Sequence, residues 1–349
     1  MWTIKSNGDY DTLSQIHSQY ITSPGAHSGP AFPGWHREFI KRRVDPTVAL
    51  PYWDSTLDST LPNPSHSCLW GNELMGSQDS TGTGSRVFTR DIGKTGNLLN
   101  EADIQALLST PDFTQLLAFT APQAVVKDFQ TIGEKLSFTH SGDMLITTTA
   151  TNDPLFFNHH SMIDLIWELW RTQQQSRTER ETEYPDDNAA CSSSAHFVNN
   201  TMAPFFPMVN LDGLSNKYTD NLYQYSPRPT CSSSNVNGCG SKYLFCDVSH
   251  GPARCASKIN LGGNCSGYTN NEDACYLGQC MNSICTAIPT CFNEQQCCSP
   301  WSSRGECSRN PTYMNVWCKA SCGICTPSTY DLTQGERNVL HITFNRYNF

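Results

Sequence analysis

Cysteine placement divides this chain more sharply than any other feature. Of 17 cysteines, only Cys68 and Cys191 precede residue 200, and the other fifteen crowd between Cys231 and Cys325. A cysteine-dense stretch poor in aliphatic residues cannot build a large apolar core, so its order must come from cross-links, which persist in oxidising compartments. The pattern predicts a secreted protein with a conventional first half and stapled modules behind it. Two glycosylation triplets, Asn199-Asn200-Thr201 and Asn264-Cys265-Ser266, agree with secretion. The opening Met1-Trp2-Thr3-Ile4-Lys5-Ser6-Asn7-Gly8 has no apolar signal core, and the expectation is that the true N-terminus lies upstream.

At 349 residues the chain is long enough for one large core plus small appendages, because single cores stop growing near about 250 to 300 residues. A net charge of −9 gives no electrostatic footprint for nucleic acid or an anionic membrane surface. Every apolar stretch is interrupted well before the roughly 20 residues needed to cross a bilayer. The fold class expected is mainly α, a helical bundle with long ordered loops followed by small disulfide-rich modules. Residues 1–225 carry the helical runs, among them Leu155 to Arg171 and Glu101 to Leu108. The first run opens on Asn152-Asp153-Pro154, a capping side chain followed by a first-turn proline. Proline-rich stretches such as Leu50 to Ser65 must pack as ordered loops. Residues 226–290, with neither helical nor strand periodicity, read as a disulfide-stapled linker. Residues 291–325 form a cysteine unit too small to fold without cross-links, and 326–349 form a tail with no assigned element.

Three histidines, His17, His27 and His36, recur within twenty residues, and neutral imidazole is the commonest protein ligand for copper and zinc. His17 follows the periodic run Tyr10 to Ile16, His27 follows Ser23-Pro24-Gly25 in a loop, and His36 lies in Trp35-His36-Arg37-Glu38-Phe39-Ile40. Two helices and a loop can thus converge on one ion. Taken one by one, each is an ordinary partly buried histidine; the surrounding phrases decide otherwise. His27-Ser-Gly-Pro-Ala-Phe-Pro-Gly-Trp-His36-Arg37-Glu-Phe, with Val44-Asp-Pro-Thr-Val-Ala-Leu-Pro-Tyr-Trp-Asp54 after it, resembles the copper A signature of tyrosinases. Asn152-Asp153-Pro154-Leu-Phe-Phe-Asn-His159-His160-Ser-Met-Ile-Asp164-Leu-Ile-Trp167-Glu-Leu-Trp170 resembles their copper B signature.

This resemblance spans residues 10 to about 225 and implies a type 3 site of two copper ions. It carries over His17, His27 and His36 as copper A ligands, and His140 and His160 as copper B ligands. Asp164 lies four residues after His160 on the same helix face, where it can orient a ligand, pair with Arg37 to tie two helices together, or stand as a solvated acid. His159 points about 100° away from its neighbour and reads as a residue that supports the copper B ligand from behind; taken alone it is a packed, hydrogen-bonded histidine.

The likeness is incomplete. Family members carry two copper B histidines four apart on one helix before a Gly-Asp-Met ending, whereas Leu136-Ser-Phe-Thr-His140-Ser-Gly142-Asp143-Met144 keeps only the first. Neither Leu136 nor Met144 can replace an imidazole. A second gap follows His36, where Lys41-Arg42-Arg43 runs straight into Val44-Asp45-Pro46. The family's thioether cysteine is also absent, Gly25 standing in its place.

The final cysteines resemble the ShK-type domain: Cys291, Cys298-Ser-Pro-Trp301, Cys307, Cys318-Lys-Ala-Ser-Cys322 and Gly323-Ile-Cys325. That likeness implies Cys291–Cys325, Cys298–Cys318 and Cys307–Cys322 bonds, with Cys297 left over; spacing alone permits 15 pairings of six cysteines. The combined resemblance implies oxidation of small phenols or catechols to ortho-quinones with O2 as co-substrate. Its accessory domain implies extracellular matrix or cuticle contact, and no nucleic acid or membrane partner is expected. The competing expectation is a secreted, catalytically impaired relative that works through its cysteine modules.

Overall fold

The computed structural model describes residues 2–19, 23–27, 29–41, 49–76, 89–92, 98–116, 140–190, 193–288 and 291–325. The chain divides into two compact units, Met1–Thr286 and Ala287–Phe349. In the first lie helices α1 (Trp2–Ser6), α2 (Asp9–Ser18), α3 (Phe32–Lys41), α4 (Thr56–Ser59), α5 (Glu101–Leu108), α6 (Leu155–Gln174) and α7 (Glu179–Thr182). Strands β1 (Arg90–Ile92) and β2 (His140–Gly142) pair antiparallel, with Ile92 opposite His140.

Helix α6 is the axis of this unit. Fifteen of its 20 residues are buried, so it behaves as a core helix rather than an amphipathic surface one. Asp153 starts it: Oδ1 accepts from the Leu155 amide at 2.9 Å. Arg90 grips the same carboxylate with two donors, Nε and Nη2, each at 2.5 Å. The helix start expected from Asn152-Asp153-Pro154 is therefore fixed from β1 as well. Helix α5 begins with a reciprocal cap in which Asn100 and Asp103 accept from each other's backbone amides. It lays Ile104, Leu107 and Leu108 against Met162, Ile166 and Trp170 of α6.

On the other side, α3 presents Trp35 and Phe39, four residues apart, to a cluster containing Ala26, Phe156, Met202 and Phe205. The segment Asn210–Leu214 closes over α3 because both chains carry glycine at the crossing. A Cβ on Gly213 would stand 2.7 Å from the Gly34 Cα. The Leu50 to Ser65 stretch is an ordered loop interrupted by α4 and a single 3-10 turn. Within it, the Trp53 indole donates to Asp58 Oδ2 at 2.8 Å.

Residues 231–287 differ from a plain linker. They hold two hairpins, β3 (Leu244–Asp247) with β4 (Arg254–Ser257) and β5 (Gly278–Met281) with β6 (Ile284–Ala287). Strands of four residues are too short to show alternation, and cross-links replace that signal: Cys231–Cys246, Cys239–Cys255, Cys265–Cys280 and Cys275–Cys285. The hairpins belong to the first unit. Cys68 N donates to Lys258 O at 2.7 Å, and Leu61 is buried among Phe245, Ala256 and Ile259.

The second unit contains α8 (Cys298–Ser303), α9 (Glu306–Arg309) and α10 (Pro311–Trp317) around buried Cys298, Met314 and Cys318. Its disulfides are Cys291–Cys325, Cys298–Cys318 and Cys307–Cys322, and Cys297 is free and exposed. Cys191, residues 42–48 that follow the shortened helix, and the tail 326–349 lie outside the described residues. Among those described, no helix is long and apolar enough to cross a membrane. The mainly helical first half and disulfide-rich remainder follow the sequence expectation.

Ile166 is fully buried and Leu169 is 38% exposed on the same helix. Ile166→Ala should therefore cost about 2–5 kcal/mol in denaturant unfolding, whereas Leu169→Ala should stay within about 0.5 kcal/mol.

Candidate metal centre

Four imidazoles meet between α2, α3, α6 and the loop before α3. His17 near the end of α2, His36 on α3 and His160 on α6 are buried at 2, 3 and 7% exposure. His27 comes from the loop and is half-buried. The Nε2 atoms of His17 and His27 stand 3.0 Å apart, and one ring nitrogen from each of His17, His27 and His36 falls within 4.8 Å of the others. His160 stacks on His36 with ring centroids 4.2 Å apart and an interplanar angle of 9°. Phe156, one turn before His160, wedges between His160 and His17 at 4.2 and 4.6 Å. Phe32 covers His36 at 4.4 Å.

Orientation and protonation both suit metal binding. His36 Nδ1 donates to the Phe32 carbonyl at 3.0 Å, which assigns the proton to Nδ1 and leaves Nε2 as a buried lone pair with no hydrogen-bond partner. Ligand nitrogens about 2.0–2.1 Å from a shared ion in a tetrahedral set stand roughly 3.3 Å apart, close to the 3.0 Å between the Nε2 atoms of His17 and His27. Burial, reinforced by the His27 ring, lowers the His17 pKa to about 3. Burial and then His196 lower that of His27 to about 4. His36 and His160 are held well below the usual histidine range by burial first and neighbouring imidazoles second. A set of neutral imidazoles, the softest nitrogen donors a protein offers, fits copper.

Behind the imidazoles lies an ion-pair network. Arg37 is fully buried beside His36; its Nε donates to Asp164 Oδ1 at 2.6 Å and its Nη2 to Glu168 Oε2 at 2.8 Å. The guanidinium sits 4.3 Å from the Trp167 ring centroid. The hydroxyls of Tyr223 and Tyr225 both donate to Asp164 Oδ2 at 2.6 Å. Of the readings open for Asp164, the helix-tying pair with Arg37 is the geometry present. His159 is buried, with its ring 5.1 Å from that of His160.

His140 lies in β2 rather than on a helix, and its side chain lies outside the described residues. Sequence reasoning missed Glu168, Tyr223, Tyr225 and His196. The one local signal for the tyrosines was their alternate placement in Tyr223-Gln224-Tyr225, which names no partner.

A buried nest of neutral imidazoles, braced by charged pairs between helices, makes a helical site suited to a transition metal. Residues 7–114 and 97–173 match the common central domain of tyrosinase, in two overlapping pieces, and residues 290–325 match the ShK domain-like family. The chain belongs to the tyrosinase family, whose members bind a pair of coppers, and carries an ShK-like domain behind the central one. It is 46% identical over 385 residues to the tyrosinase-like protein tyr-3 of Caenorhabditis elegans, covering 93% of this chain and 55% of that one. Tyrosinase-like protein 1 of Margaritifera margaritifera is 30% identical over 292 residues, covering 72% of this chain and 56% of its own. A tyrosinase of Streptomyces lincolnensis is 27% identical over 210 residues, covering 48% of this chain and 74% of its own. The chain thus spans little more than half the length of the first two relatives.

Two measurements probe this centre. Removing Arg37 leaves Asp164 a buried charge with only tyrosine hydroxyls beside it, while Glu168 keeps Arg171, so Arg37→Met should destabilise by about 3–5 kcal/mol in denaturant unfolding. Arg37→Lys should recover little, because a point charge cannot serve both carboxylates. Acid should also weaken the metal-free fold. Above the ordinary histidine value of about 6.5 neither state is protonated; below it the unfolded chain takes up protons that folded His17 and His27 refuse until about pH 3 and 4. Stability is therefore full above about pH 6.5 and lost as pH falls below it. The Tm of chelator-treated protein should drop between about pH 7.5 and about pH 5, more shallowly in His17→Leu.

Proposed function

We propose that this chain is a copper-dependent oxidase that converts phenols or catechols to ortho-quinones with O2. The observation that carries the proposal is the buried convergence of His17, His27, His36 and His160 from three helices and one loop. No standard side chain exchanges electrons with O2, and copper supplies that chemistry when bound. Each catechol would give up two electrons and two protons, and one O2 would take four of each to become two waters. The protein's part is mechanical and electrostatic. His17, His27 and His36 would hold one ion and His160 would contribute to the other. Phe32, Phe156 and Trp35 exclude water from the imidazole nest, and the Arg37–Asp164 pair keeps the two ligand-bearing helices from sliding. His140 would complete part of the second site. Seven disulfides among the described residues fit an oxidising, extracellular location. There the ShK-like unit would serve stability or matrix contact.

One observation favours a second reading, a secreted protein with impaired catalysis. His140 is on a strand, and no histidine stands four residues from it in either direction. Copper content by elemental analysis, together with catechol-dependent O2 uptake by the purified chain, separates the two. Two coppers per chain with turnover is the expected result; one or none, with no uptake, sinks the oxidase and leaves the accessory role.

A further inference from the structure

Helix α6 carries His160 near its start and lines a cavity near its end. Eleven residues separate His160 from Arg171, which at about 1.5 Å per residue is roughly 16 Å along the helix. The cavity holds about 290 Å³ of empty space, its open mouth included. Its wall is largely apolar, with Leu116, Trp167, Trp170 and Leu214 all buried. Arg171 joins them from α6, and Arg180 and Glu183 come from α7 and the residue after it. A small concavity with apolar walls and a few convergent polar groups is the ordinary form of a small-molecule site.

Two guanidinium groups stand in that wall against one carboxylate. Arg171 is 1% exposed. Its Nη1 donates to Glu168 Oε2 at 2.8 Å and its Nη2 to the carbonyls of Arg180, at 2.7 Å, and Leu214. Those bonds hold the group in place, while its buried Nε has no hydrogen-bond partner. Arg180 is half-buried, and its Nε is likewise buried and unpartnered. Arg37, Arg90, Arg177 and Arg228 each hold a carboxylate, whereas Arg180 is in no ion pair among the described residues. The wall's own carboxylate is engaged elsewhere, Glu183 Oε2 accepting from Gln175 Nε2 at 2.8 Å. A guanidinium donor buried without an acceptor is costly, and the acceptor that suits two of them is an anion.

We propose that this cavity binds a small organic monocarboxylate: the Nε–H groups of Arg171 and Arg180 take its carboxylate, and Leu116, Trp170 and Leu214 take its apolar body. The volume limits the ligand to a small molecule, and the apolar wall favours one with a hydrocarbon part over a bare inorganic anion. The site touches the helix interface behind the imidazoles through Glu168, whose Oε2 accepts from both Arg171 and Arg37. It needs no metal, so the inference is independent of the copper reading above.

The test titrates butanoate into the full chain by isothermal calorimetry, with tryptophan emission, far-UV circular dichroism and Tm alongside. Butanamide, the neutral isostere, and chloride, an anion without an apolar body, are the comparison ligands. Two variants are compared with the unchanged chain: Arg180→Gln removes a guanidinium from the wall, and Glu183→Gln removes its one opposing charge. Saturable butanoate binding supports the proposal if it is about 10- to 100-fold tighter than that of butanamide, weakened by a similar factor in folded Arg180→Gln, and tightened in Glu183→Gln. No saturable binding of butanoate, equal affinities for butanoate and butanamide, or chloride bound as tightly as butanoate overturns it. Unchanged affinity in folded Arg180→Gln places butanoate elsewhere and overturns it too. Should Arg180→Gln not fold, binding no tighter in Glu183→Gln overturns it as well. None of these results bears on copper content or O2 uptake, so the oxidase reading stands or falls by its own measurements.

Discussion

The buried grip of Arg37 on Asp164 and Glu168 is the constraint from which the rest of the first unit follows. Arg37 adjoins His36 on α3, and Asp164 lies one turn beyond His160 on α6, so the ion pair and the stacked imidazoles occupy neighbouring levels of one helix interface. A guanidinium removed from water is tolerable only when its charge is matched and the opposing charge is satisfied in turn. Here two carboxylates, an indole face and two tyrosine hydroxyls do so. Apolar packing between the same helices would tolerate small slides; a planar fork bound at two points does not. Metal ligands spaced to within fractions of an ångström need that kind of partner.

The periphery reads as a set of braces on this interface. Arg90 clamps the carboxylate that begins α6, and the capped α5 packs its apolar face on the middle of α6. Trp53, held by Asp58, joins the same cluster from an irregular loop. That loop is kept in place by the cross-linked hairpins, which reach it through Leu61 and the Cys68 amide. Disulfides in residues 231–286 thus act at a distance on a centre that contains no cysteine.

Much of this was legible in the residue order, for a physical reason. Helical periodicity and caps are local, so α5 and α6 show themselves in the spacing of Ile104, Leu107 and Leu108 and in the Asp153 start. Imidazole triads with the right neighbours are also local, which is why His17, His27 and His36 stood out. What did not show were contacts between residues far apart along the chain. Tyr223 and Tyr225 reach Asp164 from 59 and 61 residues away, and no period connects them. His196 touches the Gly29 loop from a stretch without regular structure, and no local pattern announces that approach. The hairpins escaped because four-residue strands carry too few side chains to alternate visibly, and their register is written in cysteine pairing.

The uncharged state of the four imidazoles has a consequence for assembly. The lone pairs are gathered before any ion arrives, so the folded chain has already spent the conformational entropy that a floppy site would lose on capture. What remains to govern filling is the route inward. Three of the rings are sealed by aromatic side chains, and only His27 reaches partway to the surface. An ion entering from that side would meet His27 before the other three rings.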